Sequence, residues 1–446
     1  MTAVGQRVTE VPQPSTQGPA GFREVLRNRD FRLLWSAQVA AQLGDKFFAF
    51  SLLLSIYSLT HLYLSDAVLL LAYTVPAVVL SVPAGIFADR YDKKVLMIWT
   101  NLSRGVMVLG VPALELTGVA QHQVIPLYGI TLVFAGVGQL FAPAEAASIP
   151  TLVGSKQISA ATSLFTVTIV VTIVLSVPLA SIAQRFLGLE GPYYFGAALF
   201  MVASGAIWLI KPRLAAAKKE PGAEAPGVVR EIKEALQVIR RSPILPFAFG
   251  MLTLSLVIVF TIFALSAGYM QHVLLSRPQN SYILLIPATV GMVLTGTLVS
   301  RRSSAAAGER TVAMGLALAG AAMLVLGVLP LILSGAHMVG YLIPLAILLA
   351  LLFGVGLGAV LIPSLVLIQE ATEEATRGRI FGGAFLAINL AIALPLLVAG
   401  AVADLVGASA VIGFLGVLLI AIGLISWRLG WGSGGGVGPS ASVTAA

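Results

Sequence analysis

Apolar runs of about 20 residues dominate the chain, and short polar turns separate them. Each run is long enough to cross the hydrocarbon core of a bilayer as a helix. The runs begin near Phe31, Asp66, Val95, Gln123, Ile158 and Pro192 and, in a second set, near Ile244, Tyr282, Thr311, Met338, Ile380 and Ser409. Backbone polar groups cannot stay unpaired in lipid, so a spanning segment of this length must be helical. The pattern predicts an all-α membrane protein with about twelve transmembrane helices.

The composition agrees with this prediction. Of the 446 residues, 58% are hydrophobic and 10% are charged, whereas soluble domains are about 45–50% apolar and about 25% charged. The net charge of +8 comes from Lys and Arg between the apolar runs, which orients a protein in a membrane. We therefore expect the lipid bilayer as a partner and no nucleic acid. The chain has no cysteine, which excludes thiolate metal sites, and we expect no metal.

The longest polar interval divides the predicted helices into two groups of six. Its second part, Val228 to Arg241, carries apolar residues at helical spacing and predicts an amphipathic helix on the membrane surface. The predicted organisation is a tail (1–30), a first six-helix half (31–210), a linker with the amphipathic helix (211–243), a second six-helix half (244–430) and a disordered tail (431–446).

Lys and Arg residues concentrate on one side of the predicted membrane topology. The N-terminal tail, the turn at 90–94 and the linker are rich in these residues, whereas the opposite side shows only Arg185 and Arg277. The positive side is normally cytoplasmic. We expect a multi-pass protein of the inner (plasma) membrane with both termini in the cytoplasm.

The two halves repeat each other weakly. Three proline-containing segments recur in order, roughly 211 to 217 residues apart, which is close to half the chain. The pairs are Val75-Pro76-Ala77 with Ile286-Pro287-Ala288, Ile149-Pro150 with Ile362-Pro363, and Pro178-Leu179 with Pro395-Leu396. Two six-helix halves in parallel repeat are typical of transporters whose halves rock around a midplane site.

A short polar turn follows the second apolar run and combines two acids with three bases. It contains Gly85, Asp89, Arg90, Asp92, Lys93 and Lys94. This turn resembles the signature motif of the major facilitator superfamily. The segment Gln42-Leu43-Gly44-Asp45 and the pair Pro143-Ala144 are similar to an exporter-like bacterial branch that includes siderophore and macrolide efflux proteins.

The resemblance implies the major facilitator fold and secondary active transport by alternating access. It implies export of a small amphiphilic substrate, and Asp45 would allow protons to drive the export. The chain departs from the antiporters of the family around Pro178, where their glycines are missing. A lysophospholipid or other lipid flippase is an alternative, because Gly44-Asp45 and Pro143-Ala144 also resemble those carriers. A membrane receptor or interaction protein without transport is an alternative from another class.

The polar turn suggests a gate on its side of the membrane. Asp89 would lie near the N-terminus of the eleventh helix, where a carboxylate is stabilised by about 0.3–1 kcal/mol. Gly85 would let two helices approach closely. Arg90, Lys93 and Lys94 would add ion pairs, although positive turns also occur simply because they set topology.

Charged residues within the first apolar run need a reason, because each costs about 3 kcal/mol at the bilayer centre. Gln38, Gln42, Asp45 and Lys46 fall within a wedge about 100° wide on one helix. This wedge lines a cavity with a substrate or proton site, or it forms a structural ion pair. Arg104 has a similar depth, and Asp45 is a candidate acceptor for it. Asn389 is interpreted as an interhelical hydrogen-bonding group or as a ligand contact.

Two further acids lie near the predicted membrane surfaces. Glu145 is a candidate to pair with Arg90 or Lys94, and Asp404 should lie near the outer surface without a special role. The sequence has no Gly-rich phosphate-binding loop, so we expect no ATP-driven transport, no enzymatic activity and no cofactor. We expect a monomer.

Overall fold

The computed structural model describes residues 22–118, 123–154, 157–211, 214, 228–242, 244–299, 305–332, 339–372 and 374–429. The regular elements in these ranges are helices, which confirms the predicted all-α membrane fold. They are α1 (Phe22–Val25), α2 (Arg29–Thr60), α3 (Tyr63–Arg90), α4 (Lys93–Leu116), α5 (Ile125–Gly138), α6 (Phe141–Leu152), α7 (Ile158–Leu187), α8 (Gly191–Trp208), α9 (Val228–Arg241), α10 (Leu245–His272), a short 3-10 helix (Pro278–Ser281), α11 (Tyr282–Val299), α12 (Ala305–Ile332), α13 (Val339–Glu370), α14 (Glu374–Val406) and α15 (Ala408–Leu429).

The long helices follow the predicted apolar runs. Within the described residues, nine segments are long and apolar enough to cross a membrane, and one of them joins α5 and α6 as Ile125–Leu152. The helices α7, α8 and α11 occupy the remaining predicted runs. The expected disordered C-terminal tail and most of the expected N-terminal tail lie outside the described residues.

The packing of the helices follows the predicted repeat. In the first half, α8 packs on α4, and in the second half the corresponding helix α15 packs on α12. The two halves meet where α3 packs on α14 and where α7 packs on α11. The repeat relates α3 to α11 and α7 to α14, so these two interfaces are equivalent to each other. The paired prolines agree, since Pro76 lies within α3 and Pro287 within α11.

The amphipathic helix is present as α9, but its surroundings differ from the expected membrane surface. Its residues Ala235 and Ile239 are buried, and the helix packs mainly on α14, with smaller contacts on α3 and α10. Ile239 belongs to a cluster with Leu245 and Phe249 of α10. Part of the apolar face of α9 is therefore covered by protein, whereas Leu236 and Val238 stay exposed.

The second half is held together by glycines that bring helix backbones into contact. A methyl group placed on Gly354 of α13 would collide with the backbone of Ala288 in α11. Another on Gly416 of α15 would lie 2.7 Å from the carbonyl oxygen of Gly320 in α12. Small residues permit such close helix packing in membranes. The first half relies more on a buried charge cluster, described below.

This difference predicts that Gly354→Ala destabilises the protein. The added methyl group has no room against α11, and overpacking costs about 1–3 kcal/mol. We expect a lower thermal unfolding midpoint for the purified protein in detergent. Gly250→Ala in α10 is the matched control, because a methyl group there meets no atom within 4 Å. Equal midpoints for the two variants would show that the α11–α13 contact is not as tight as described.

Candidate functional site

A cluster of three charged residues lies in the middle of the first half. The Nζ atom of Lys46 donates a hydrogen bond of 2.9 Å to Oδ2 of Asp45. Arg104, on α4, donates from Nη2 to Oδ1 of the same carboxylate. The pairing between Asp45 and Arg104 that the sequence suggested is therefore present, and it ties α2 to α4. Each oxygen of Asp45 thus accepts from a different cation.

Aromatic rings enclose the Arg104 guanidinium. Its Cζ atom lies 4.3 Å from the ring centroid of Phe134 and 4.6 Å from that of Phe200. The side chain is only 8% exposed, and a methyl group on Gly138 would approach Cζ to 3.3 Å. A desolvated cation–π contact contributes about 2 kcal/mol or more. The guanidinium therefore links four helices, α2, α4, α5 and α8.

Lys46 marks the end of an open face on α2. Exposed and half-exposed residues recur along this helix from Arg32 to Lys46, and all residues from Phe47 to Leu54 are buried. The side chain of Lys46 is 34% exposed, and that of Asp45 is 18% exposed. Charged side chains in a membrane helix face the bundle interior or a water-filled cavity. We infer that the open face of α2 is the wall of a cavity.

The equivalent helix of the second half, α10, shows the same change. Half-exposed residues recur from Thr253 to Phe263, and all residues from Ala264 to Met270 are buried. Phe50 of α2 and Phe263 of α10 meet at the boundary, with ring centroids 5.8 Å apart. The cavity is thus open toward the Gly85–Lys94 turn, which we call the motif side. It is closed toward the opposite end, which we call the Asp404 side.

The predicted polar wedge on α2 divides between two environments. Gln42, Asp45 and Lys46 are half-exposed on the open face. Gln38 is fully buried, and neither polar atom of its amide has a hydrogen-bond partner in the structure. The expectation that Gln38 lines the cavity is wrong for this conformation, because neighbouring helices cover α2 at the depth of Gln38, two turns before Asp45. Asn389 is half-buried on α14, a helix of the other half that packs mainly on α3 and α9.

The motif turn is held to the segment that follows α8. The Nζ atom of Lys94 donates a 2.6 Å hydrogen bond to the carbonyl oxygen of Ile210, just beyond the end of α8. The backbone N–H of the buried Lys93 donates to the carbonyl oxygen of Leu214 over 3.0 Å. Asp92 caps α4, because its Oδ1 accepts from the backbone N–H of Lys94 over 2.9 Å. Lys94 does not form the expected ion pair. Its hydrogen bond to Ile210 anchors the turn at the end of α8.

The gate residues of the motif turn are only partly described. Gly85 is half-exposed, and a methyl group placed on it would meet no atom within 4 Å. The expected close helix approach at Gly85 is therefore absent in this conformation, because the motif side is open. Arg90 is exposed at the end of α3, and the side chain of Asp89 lies outside the described residues. The predicted contact of Asp89 with α14, the eleventh predicted membrane helix, stays a prediction.

Glu145 differs from its expected role. It is buried in α6, and its Oε1 atom has no hydrogen-bond partner in the structure. The ammonium group of Lys94 instead donates to the end of α8. The pairing of Glu145 with Lys94 is absent among the described residues, where the Lys94 ammonium binds the carbonyl oxygen of Ile210 instead.

Asp404 is the functional residue that sequence reasoning missed. Its Oδ1 accepts from the backbone N–H of Tyr63 over 2.7 Å, and its Oδ2 accepts from that of Leu64 over 3.0 Å. The end of α14 thus caps the beginning of α3 across the two halves, which corrects the expectation that Asp404 has no special role. The sequence does not reveal this contact, because the two residues that donate to Asp404 are 341 and 340 positions away from it.

Other contacts close the same side. A methyl group on Gly268 would collide with Tyr57 and Tyr63, and one on Gly400 would lie 3.0 Å from the carbonyl oxygen of Tyr63. We call the packed region formed by Tyr57, Tyr63, Asp66, Gly268, Gly400 and Asp404 the Asp404-side seal. At the equivalent interface, Arg185 of α7 donates to the hydroxyl of Tyr282 at the start of α11.

Comparisons with known proteins agree with this architecture. The family model described as Major Facilitator Superfamily matches residues 34–347. The chain is similar to two proteins of Bacillus subtilis (strain 168) that are named uncharacterized MFS-type transporters. One is YfiS, at 26% identity over 404 residues, covering 88% of this chain and 91% of the relative. The other is YvqJ, at 21% identity over 407 residues, covering 89% and 91%.

Solved structures show the same fold. An auto-inhibited peptide transporter of the POT family superposes with a TM-score of 0.65 at 14% identity, covering 90% of this chain and 96% of that structure. The nucleoside transporter NupG superposes with a TM-score of 0.63 at 12% identity, covering 89% of this chain and 99% of that structure. At these identities the likeness concerns the fold alone.

The central cluster predicts that Arg104→Ala is strongly destabilising. The substitution leaves Asp45 with one cation and removes both aromatic contacts, and breaking a buried pair costs about 3–5 kcal/mol. We expect a large drop in the thermal unfolding midpoint. Arg230→Ala is the control, because Arg230 pairs with Glu234 at 74% exposure and such pairs contribute about 0.3–0.5 kcal/mol. Similar losses in both variants would contradict a stabilising role for the cluster.

Proposed function

The chain belongs to the Major Facilitator Superfamily, and on this premise we propose that it exports a small amphiphilic compound in exchange for protons. It is a multi-pass membrane protein and a secondary transporter of this superfamily. Such transporters work by alternating access, in which two halves rock around a site near the bilayer midplane. The substrate, the direction and the coupling ion are the proposed parts.

The observation that carries the proposal is the matched closure of α2 and α10. Both helices have half-exposed residues toward the motif side and are buried on all faces toward the Asp404 side, starting at Phe47 and Ala264. This is the geometry of one state of an alternating carrier. The change from open to closed occurs next to Lys46, so a solute entering from the motif side would reach the charged cluster and stop there.

The open face of α2 suits an amphiphilic solute. It combines the apolar side chains of Val39 and Leu43 with the polar ones of Gln42 and Lys46. An apolar wall with few polar groups is the usual composition of a small-molecule site. Asn389 is a candidate for a contact from the second half. We propose that the substrate binds along this face, with its polar part toward Lys46.

Asp45 is the proposed site of proton coupling. Its carboxylate balances two cations, so its protonation would release both Lys46 and Arg104 from their shared acceptor. Water can reach the group, since the side chain is 18% exposed. Losing the bond between α2 and α4 would change how these helices pack, and this change could be transmitted to the closure of the cavity.

The distribution of Lys and Arg supports the orientation. Since the motif side carries most of these residues, we propose that it faces the cytoplasm, with both termini inside, in the plasma membrane. The conformation described here would then be open to the cytoplasm, as an exporter must be when it loads its cargo. We propose that a single chain suffices, because the open face of α2 and the Asp404-side seal both lie within it.

The alternatives have less support. The relatives that match over most of the chain carry transporter names, which disfavours a receptor without transport. The cavity closes within α2 and α10, and no observation specifically favours a lipid as the cargo.

Proteoliposomes test the proposal through the variant Asp45→Asn. With a panel of fluorescent amphiphiles and an imposed pH gradient, the native protein should transport at least one compound against its gradient. In the variant we expect this uphill transport to fall to the level of empty liposomes, because the amide cannot exchange a proton. Glu234→Gln in α9 serves as the control and should transport normally. Unchanged uphill transport by Asp45→Asn would leave Asp45 with only its structural role.

The gate on the motif side is tested by Asp89→Asn. Asp89 is proposed to stabilise the closed form by contacting the N-terminus of α14, the eleventh predicted membrane helix. Removing its charge should then slow turnover severalfold, since the contact contributes about 0.3–1 kcal/mol. Stability should stay unchanged. Asp92→Ala should show the reverse, because losing the cap of α4 costs about 1 kcal/mol while the gate remains. A normal turnover rate in the Asp89→Asn variant would contradict the gate hypothesis.

A further inference from the structure

Asp66 is a buried acid without a partner. It lies in the first turn of α3, its residue is 0% exposed, and neither carboxylate oxygen has a hydrogen-bond partner in the structure. The backbone N–H groups of Tyr63 and Leu64, which begin the same helix, donate instead to Asp404. The positive end of α3 is thus occupied by an acid from the other half.

The groups around Asp66 do not compensate a negative charge. The carboxylate of Asp404 on α14 lies at the same helical turn of α3, on the backbone N–H groups of Tyr63 and Leu64. The phenols of Tyr57 on α2, Tyr63 on α3 and Tyr128 on α5 are also near, and the hydroxyl of Tyr128 donates to the carbonyl oxygen of Ser65 over 3.0 Å.

The remaining neighbours are apolar or distant. The adjoining Ala67 packs with Ala264 of α10 and Leu396 of α14 in an apolar cluster. The exposed His61 touches the outer part of the seal, with its ring 6.1 Å from that of Tyr57. No cation pairs with Asp66 among the described residues.

An ionised carboxylate in such a place is unstable. A buried charge without donors or a cation costs several kcal/mol, and a neighbouring carboxylate adds to the penalty. Asp66 therefore holds its proton while the Asp404-side seal is closed. If α3 and α14 separated, water would reach Asp66. Asp404 would also leave the start of α3, whose positive end would then stabilise the Asp66 anion.

We propose that Asp66 is a proton-binding site that links closure of the Asp404-side seal to the proton concentration on that side of the membrane. One carboxylate at a time occupies the positive end of α3: Asp404 when the seal is closed, and Asp66 when it is open. Closure then takes up one proton. The inference rests on the proposed function only in requiring that the seal opens and closes.

The size of the effect follows from this stoichiometry. If one proton binds on closure, the ratio of closed to open molecules rises by at most about tenfold for each unit decrease in pH, in the range where Asp66 is ionised in the open form. This pH dependence of the seal does not require Asp45, which lies in the cavity on the motif side of the closed region.

A cysteine reporter tests this inference, because the chain has no cysteine of its own. Ala264→Cys places a thiol in the closed region, where Ala264 is 1% exposed. Full-length protein in nanodiscs is labelled with a maleimide at several pH values, so membrane orientation does not matter. Leu189→Cys, at an exposed position, corrects for the reactivity of the thiol itself. The corrected labelling rate of Ala264→Cys should fall severalfold on acidification.

The variant Asp66→Asn, in the Ala264→Cys background, should keep labelling low at every pH, because the amide resembles the protonated acid. Asp404→Ala should raise labelling at every pH, because the cap on α3 is lost. It also keeps the test valid if Asp66→Asn folds poorly. Glu190→Gln is the matched control on the same side and should leave the pH dependence unchanged.

Two results would overturn the inference. One is labelling of Ala264→Cys that does not depend on pH, and the other is the same pH dependence in the Asp66→Asn variant. The experiment uses neither substrate nor gradient, so its outcome is independent of the transport assay. A protein with a pH-dependent seal but no flux would refute the proposed function alone, and flux without a pH-dependent seal would refute this inference alone.

Discussion

A bilayer offers no water to a charge, so each buried charge must be neutralised within the protein or lose its charge. This constraint bears on three acids of the first half, of which Asp66 and Glu145 are buried and Asp45 is partly exposed. Asp45 is satisfied by Lys46 and Arg104. Glu145 and Asp66 have oxygens with no hydrogen-bond partner in the structure. The first acid holds helices together, and the other two are buried where an anion is unstable.

The two halves share one fold, but different contacts hold their helices together. The first half uses the guanidinium of Arg104 between two aromatic rings to join four helices. The second half brings helix backbones together at glycines such as Gly354 and Gly416. Charge-based packing in the first half leaves groups that can respond to protons, whereas glycine packing has no such group.

The interface between the halves has the same symmetry as the repeat. The α3–α14 and α7–α11 contacts are equivalent, and both are closed on the Asp404 side. Their chemistry differs, since one uses a carboxylate on a helix start and the other an arginine on a tyrosine hydroxyl. On the motif side, a methyl group on Gly85 would meet no atom within 4 Å. Closure of one side and opening of the other are what rocking of two rigid halves produces.

The sequence by itself determined the spans, the two halves and the depth of the charged residues, because hydrophobic length and helical periodicity are local properties. These were enough to predict the all-α fold and the pairing of Asp45 with Arg104. Only the tertiary structure decided which side of α2 faces the cavity, which excluded Gln38. It also decided that Lys94 anchors on α8 and that Asp404 caps α3. These contacts join residues far apart in the chain, Tyr63 and Asp404 being 341 positions apart. Their geometry is set by how two halves dock, which no local pattern encodes.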